Sequence, residues 1–299
     1  MKVIHQPVLL KEIIEYLDPK PGDKIIDATL GGGGHAMVLA EKVAPDGKIL
    51  GIELDPVLFQ EAQYAIRNTR YANIVIPIND SYVNIKNIVR ERNFRPNGIL
   101  LDLGLSSWHY EKSGRGFSFR KDEPLDMRFN PSAGSGQAAA EIINTYNREE
   151  IEKIIREYGE EQFSKQIAKN IVAARRKKPI MTTGELVEVI NNSVPFWYKR
   201  KKIHFATKTF QALRIEVNSE LKNVERGVSI AIDVLEPNGR LVVISFQGLE
   251  DKIVREIFKK KTKEGIIKWV TKRTVKPKWE EVKSNPRSRS AKMKIVEKL

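Results

Sequence analysis

Residues 24–36 read KIIDATLGGGGHA. A short apolar run ends on an acid, Asp27, and four consecutive glycines, Gly31 to Gly34, precede His35. Glycine reaches backbone angles closed to other residues and lets a ligand approach the main chain. The segment GDKIIDAT therefore reads as a strand, HAMVLAEKV as a helix, and the glycines as the turn between them.

Outward from this turn the pattern repeats. GKILGIEL (47–54), NIVIPIND (73–80) and NGILLDLG (97–104) read as further strands. The helices PVLFQEAQYAIR (56–67) and SYVNIKNIVRER (81–92) alternate with them. Strands alternating with helices predict an α/β fold with a doubly wound, mostly parallel sheet. Asp27, Glu53, Asp80 and Asp102 each stand at or near the carboxyl end of a strand. In such sheets ligands bind outside those ends, so the four acids are expected to rim one crevice. Glu53 follows Gly33 by 20 residues, the place where an acid accepts hydrogen bonds from the ribose of an adenosine cofactor. NAD and S-adenosylmethionine both suit that arrangement. No Gly-Lys-Ser/Thr follows the glycines, which argues against a nucleoside triphosphate loop.

The next strand-like segment after Asp102 is GRLVVISF at 239–246. The interval holds a long loop, LLDLGLSSWHYEKSGRGFSFRKDEPLDMRFNP, and several helix-like segments, REEIEKIIREYGE among them. An inserted helical domain over residues 108–212 is expected, inside a core made of 1–107 and 213–299. Two later segments, IIKWV and AKMKIVEK, are expected to complete the sheet.

The formal net charge is +14, and residues 252–299 hold 17 Lys/Arg against 5 Asp/Glu. Such a surface favours polyanions. In the insertion, RRKK (175–178) and WYKRKK (197–202) set cations beside aromatics, a composition suited to unpaired bases. There is no cysteine, which excludes disulfides, Cys-ligated metal and a thiolate nucleophile. The four histidines lack a metal-ligand spacing, and no metal site is expected. No leader-like segment opens the sequence, and no apolar run approaches the roughly 18 residues of a membrane span, so a cytoplasmic protein without membrane contact is expected.

HQPVLLKEIIEYL, DATLGGGGH, LLDLGLSS, RGFSF, PLDMRF, YGEE, HFATKTFQALRIEVNSEL and NPRSRSAK, in that order, resemble the RsmH (MraW) family. The resemblance runs over nearly the whole chain. It implies a Rossmann-like S-adenosylmethionine-dependent methyltransferase core that methylates the N4 amine of one cytosine in the 16S ribosomal RNA of the small subunit. S-adenosylhomocysteine is then the product. It implies cofactor contacts at Gly33, Gly34, His35, Glu53, Tyr82, Asp102 and His109. The chain departs from the family pattern at His109, where glutamine is usual, and at Gln247 and Gly248, where SFQGLED stands in place of SFHSLED.

Attack by an exocyclic amine on a sulfonium methyl needs positioning and an acceptor for the amine hydrogens. Asp102 is the residue assigned as that acceptor, with a role in holding the cofactor as its alternative. Methylation at cytosine C5 normally uses a cysteine, which this chain lacks. The competing classes are an NAD-dependent oxidoreductase and an RNA-binding protein without activity. Arg214 and Asn218 share a helix face, with a phosphate or active-site role set against capping of a strand edge. Arg115, Asp126 and Arg128 form a lid, contact RNA or pair with one another. Arg287 and Arg289 are phosphate contacts or part of a sheet-edge turn. The oligomeric state stays open between monomer and homodimer.

Overall fold

The structure is a computed structural model and describes residues 7–133 and 136–299. The chain divides into two compact units, residues 1–106 with 221–299, and residues 107–220.

The first unit is built on seven strands: β1 (Lys24–Asp27), β2 (Lys48–Glu53), β3 (Val75–Asn79), β4 (Gly98–Asp102), β5 (Arg240–Ser245), β6 (Ile267–Trp269) and β7 (Lys292–Lys298). They lie in the order β3-β2-β1-β4-β5-β7-β6. β1 to β5 pair in parallel, and β7 inserts antiparallel between β5 and β6. The two late strands complete the sheet as expected, with the last strand in sequence lying inside the edge. This is the Rossmann-like, mostly parallel arrangement that the resemblance implies. The strand order reverses at β1, between β2 and β4, which opens a crevice at their carboxyl ends.

Successive strand residues feed opposite faces. Ile25, Ile49, Leu100, Val242 and Ile295 are buried on one face with Leu39, Ala40 and Ile66 of the covering helices. Ile26, Leu50, Ile99, Leu241 and Val296 are buried on the other with Ile85, Val228, Val254 and Phe258. Burial on both faces explains why the strands read as apolar runs rather than alternations. Gly51 in β2 leaves the space that Leu30 of the glycine turn occupies: a Cβ there would come within 2.6 Å of the leucine side chain.

The second unit is helical, with Ala139–Thr145, Arg148–Glu157, Ser164–Arg175, Thr183–Asn191, Phe196–Lys199 and Thr207–Asn218. Asn147 with Glu150, and Thr182 with Glu185, form capping boxes that start two of these helices. Ile151, Ile154 and Ile155 supply the apolar face that their spacing predicts, packed in a core with Ile143, Ile167, Ile171 and Leu213 buried. The helix Thr207–Asn218 runs unbroken past residue 212, so residues 213–220 fall in the helical unit rather than with the core. The apolar stripe of that helix ends at Val217. Ser219 adopts a left-handed conformation (φ 49°), and Leu221 belongs to the next helix, Glu220–Val234.

Candidate active site

The glycine turn leaves β1 at Asp27 and enters the helix Gly34–Val43. Gly31 (φ 52°) and Gly33 (φ 83°) take left-handed angles. Gly33 is the N-cap of the helix, and no side chain caps it. The turn is tied to both neighbouring strands. Gly31 N donates to Glu53 Oε2 at 2.9 Å, Leu30 N to Ile52 O at 2.9 Å, and Asp102 N to Thr29 Oγ1 at 2.7 Å. Glu53 Oε1 accepts from Asp55 N at 2.8 Å, and Asp55 caps the helix Pro56–Arg67 through Val57 N and Leu58 N.

Asp27, Glu53 and Asp102 are gathered in this crevice and withdrawn from water. Asp27 is fully buried and its carboxyl is pushed up to about 7, chiefly by that burial. Glu53 is also pushed up to about 7, by burial first, with the charges of Asp55 and Asp27 adding to it and the Asp55 and Gly31 amides opposing. Asp102 is held well above the ordinary carboxylate range, again by burial first and then by Asp27 and Glu250. Asp102 Oδ1 and Asp27 Oδ2 are buried and accept no hydrogen bond from any described residue. Among the described residues, no Lys or Arg pairs with these three acids, and these two oxygens have no donor.

His35 lies 3.8 Å from Asp102 Oδ2 through Nδ1, while its Nε2 lies 3.0 Å from the Val8 carbonyl. A carbonyl only accepts, so Nε2 carries the hydrogen. Asp80, the fourth acid, is half-buried and turned to local work. Its Oδ1 accepts from Ser81 N (2.6 Å) and Asn84 Nδ2 (2.7 Å) and so shapes the helical turn that carries Tyr82. Gly227 backs the Tyr82 ring: a Cβ at Gly227 would come within 2.3 Å of it.

His109 belongs to the helical unit, buried with its ring edge-on to Trp108, Phe117 and Phe129 at 5.2–5.5 Å. Arg115 donates to the carbonyls of Arg128 and Phe129 and stacks on Trp108 and Phe117. Arg128 pairs with Asp126 at 2.6 Å. Arg214 makes a two-pronged ion pair with Glu220 (2.8 and 2.9 Å). Asn218 accepts from Phe129 N and donates to Met127 O. Arg214 thus ties down the end of its helix, and Asn218 clasps the loop around residues 127–129. Arg287 and Arg289 sit exposed in the turn Pro286–Ser290 that feeds the inner edge strand β7.

Glu250, absent from the sequence-derived site, is buried and takes part in raising Asp102. It accepts from Phe246 N, Gln247 N and Gln247 Nε2 at 2.9–3.3 Å. Gln247 is the N-cap and Glu250 the third residue of a capping box that starts the helix Gly248–Lys263. The departing residues therefore serve the fold locally. Space around Gly248 is open, and its φ is not positive, so a serine fits there without strain.

The MraW methylase family model matches residues 2–299. The chain belongs to the MraW methylase family. Ribosomal RNA small subunit methyltransferase H from Dictyoglomus thermophilum is 43% identical over 99% of this chain and 97% of its own length. The protein of the same name from Trichlorobacter lovleyi is 40% identical over 99% and 98%. Among solved structures, an rRNA methylase from Streptococcus thermophilus is similar at TM-score 0.44 and 11% identity, covering 97% of this chain and 92% of its own. This MraW methylase family member takes its fold assignment from its own strand order.

Proposed function

We propose that the chain transfers the methyl group of S-adenosylmethionine to the N4 amine of a cytosine in the 16S ribosomal RNA of the small subunit, in the cytoplasm. The observation that carries the reading is the crevice beside the glycine turn. Its three carboxyls, largely withdrawn from water, are pushed up in pKa, and two buried oxygens there lack a donor among the described residues. S-adenosylmethionine fits these residues. It brings a sulfonium, an ammonium and two ribose hydroxyls to a site where Asp27 Oδ2 and Asp102 Oδ1 have no donor among the described residues. The bound group supplies an activated methyl for an amine to attack.

The roles of this chain's residues follow from their surroundings. Glu53 keeps one lone pair on each oxygen beyond its amide partners, so it accepts from ribose hydroxyls. Gly33 and Gly34 bring bare backbone to the crevice, and Tyr82 closes its β3 side. His35, held by Nε2 to the Val8 carbonyl, sets its ring beside Asp102. Asp102, with Oδ1 unengaged, accepts hydrogen from the reacting amine and orients its lone pair. His109 is assigned a cofactor contact through the resemblance alone.

The target side rests on the helical unit. Phe196 and Trp197 are 67% and 55% exposed. Arg200 lies 4.4 Å from the Phe196 ring centre, and Lys201 5.0 Å from that of Trp197. Such cation-flanked aromatics stack on unpaired bases. In RRKK, Arg175 donates to Ile143 O and Lys178 pairs with Glu185, which leaves Arg176 and Lys177 as the exposed cations of that run without an ion pair among the described residues.

The test is methyl transfer from labelled S-adenosylmethionine to small ribosomal subunits lacking the modification, followed by digestion to nucleosides. The expected product is N4-methylcytidine. Label in another nucleoside would overturn the target, and absence of label the activity.

A further inference from the structure

The far edge of the same sheet carries a different feature. A groove of about 410 Å³ is lined by Arg255 and Lys259 of the helix Gly248–Lys263, Trp269 of β6, Lys272 and Arg273 of the loop that follows, and Lys294 of β7. Arg255 and Lys259 stand four residues apart and so share a helix face. Trp269 is held edge-on against the buried Phe258 at 5.5 Å. The loop is fixed by paired hydrogen bonds between Val275 and Met293 (2.8 and 3.0 Å). Lys294 is only 4% exposed and is paired with Asp251.

Arg255, Lys259, Lys272 and Arg273 are exposed, and none makes an ion pair among the described residues. Two nearby cations behave otherwise. Lys261, on the same helix, lies within 4 Å of Asp233 and Glu264, and Lys268 of β6 pairs with Glu297. Four unmatched cations around a walled groove form a concentrated positive field, which focuses on an anion from outside.

We propose that this groove binds the sugar–phosphate backbone of the RNA substrate, away from the crevice where the methyl is transferred. The proposal rests on the reading that the substrate is RNA. Backbone contacts of this kind set register and affinity and carry little sequence information.

The test compares two double variants of the full chain that remove the same charge from the same helix. R255Q/K259Q empties the groove side, and K260Q/K263Q removes exposed lysines outside it. Binding of a small-subunit rRNA fragment is measured across a salt series, and binding of S-adenosylhomocysteine reports the folded core. R255Q/K259Q is expected to weaken RNA binding about tenfold and to flatten the salt slope by about 1.4–1.8. K260Q/K263Q is expected to change both far less, with S-adenosylhomocysteine affinity unchanged in each. Equal weakening by the two variants would show that net charge alone acts, and wild-type RNA binding by R255Q/K259Q would show that the groove is not used. Either result overturns the proposal. The assay reads binding, so failure of methyl transfer in the wild type counts against the proposed activity and leaves this comparison intact.

Discussion

Two places on one sheet handle opposite charge. At the carboxyl ends of β1, β2 and β4, Asp27 and Glu53 lie buried and Asp102 mostly so, with no Lys or Arg paired to them among the described residues. At the β6 edge, Arg255, Lys259, Lys272 and Arg273 stand exposed without a matching anion among the described residues. The difference teaches how the partners divide. A buried, unscreened anionic crevice selects a small cationic ligand by desolvation and close contact. An exposed cationic groove attracts a polyanion over distance, and salt weakens it.

The largest expected effect comes from the acceptor. D102N keeps the shape and removes the charge, and is expected to slow methyl transfer at saturating donor by about 10²–10³-fold. A steady-state assay checks this. A loss under threefold would return Asp102 to its alternative role of holding the cofactor. In the wild type the rate is expected to rise with pH, because the raised Asp102 must lose its proton before it accepts one.

Next comes the ribose acid. E53Q keeps one acceptor and turns the other into a donor beside Gly31 N or Asp55 N. It is expected to weaken S-adenosylhomocysteine binding by about 2 kcal/mol, roughly 30-fold. Calorimetry at low and high salt checks it, and the loss is expected to be the same at both, unlike the losses at the groove.

The smallest effect concerns stability. Asp27 holds its proton up to about 7 in the folded chain, against an ordinary value of 3.8. Between those values the folded state binds more proton than the unfolded state, so stability falls as pH rises from about 4 to 7. D27N is expected to flatten that slope and to raise the melting temperature above pH 7. Thermal melts from pH 5 to 8 decide it, and an unchanged slope would contradict the assignment.

The parallel sheet and its crevice were legible because their signals are local. Apolar runs, the glycine turn and acids recurring at strand ends each lie within a few residues. Glu250 was hidden because its signature uses Gln247 as the cap, outside the usual Ser, Thr, Asp and Asn set. The clasp of Asn218 on Met127 and Phe129 spans about 90 residues, and no spacing rule reaches that far. The groove draws its cations from two helical turns, a loop and a strand, which read in sequence only as an undivided basic tail.

The most direct measurement of the central claim is the proton count on binding S-adenosylmethionine. Calorimetric titrations near pH 7 in buffers of different ionisation enthalpy give that number. A cationic ligand entering beside carboxyls held near 7 drives them to ionise, so net proton release is expected, reduced in D27N. Binding with no proton exchange would mean that the buried acids are already charged or do not face the ligand, and would contradict the account.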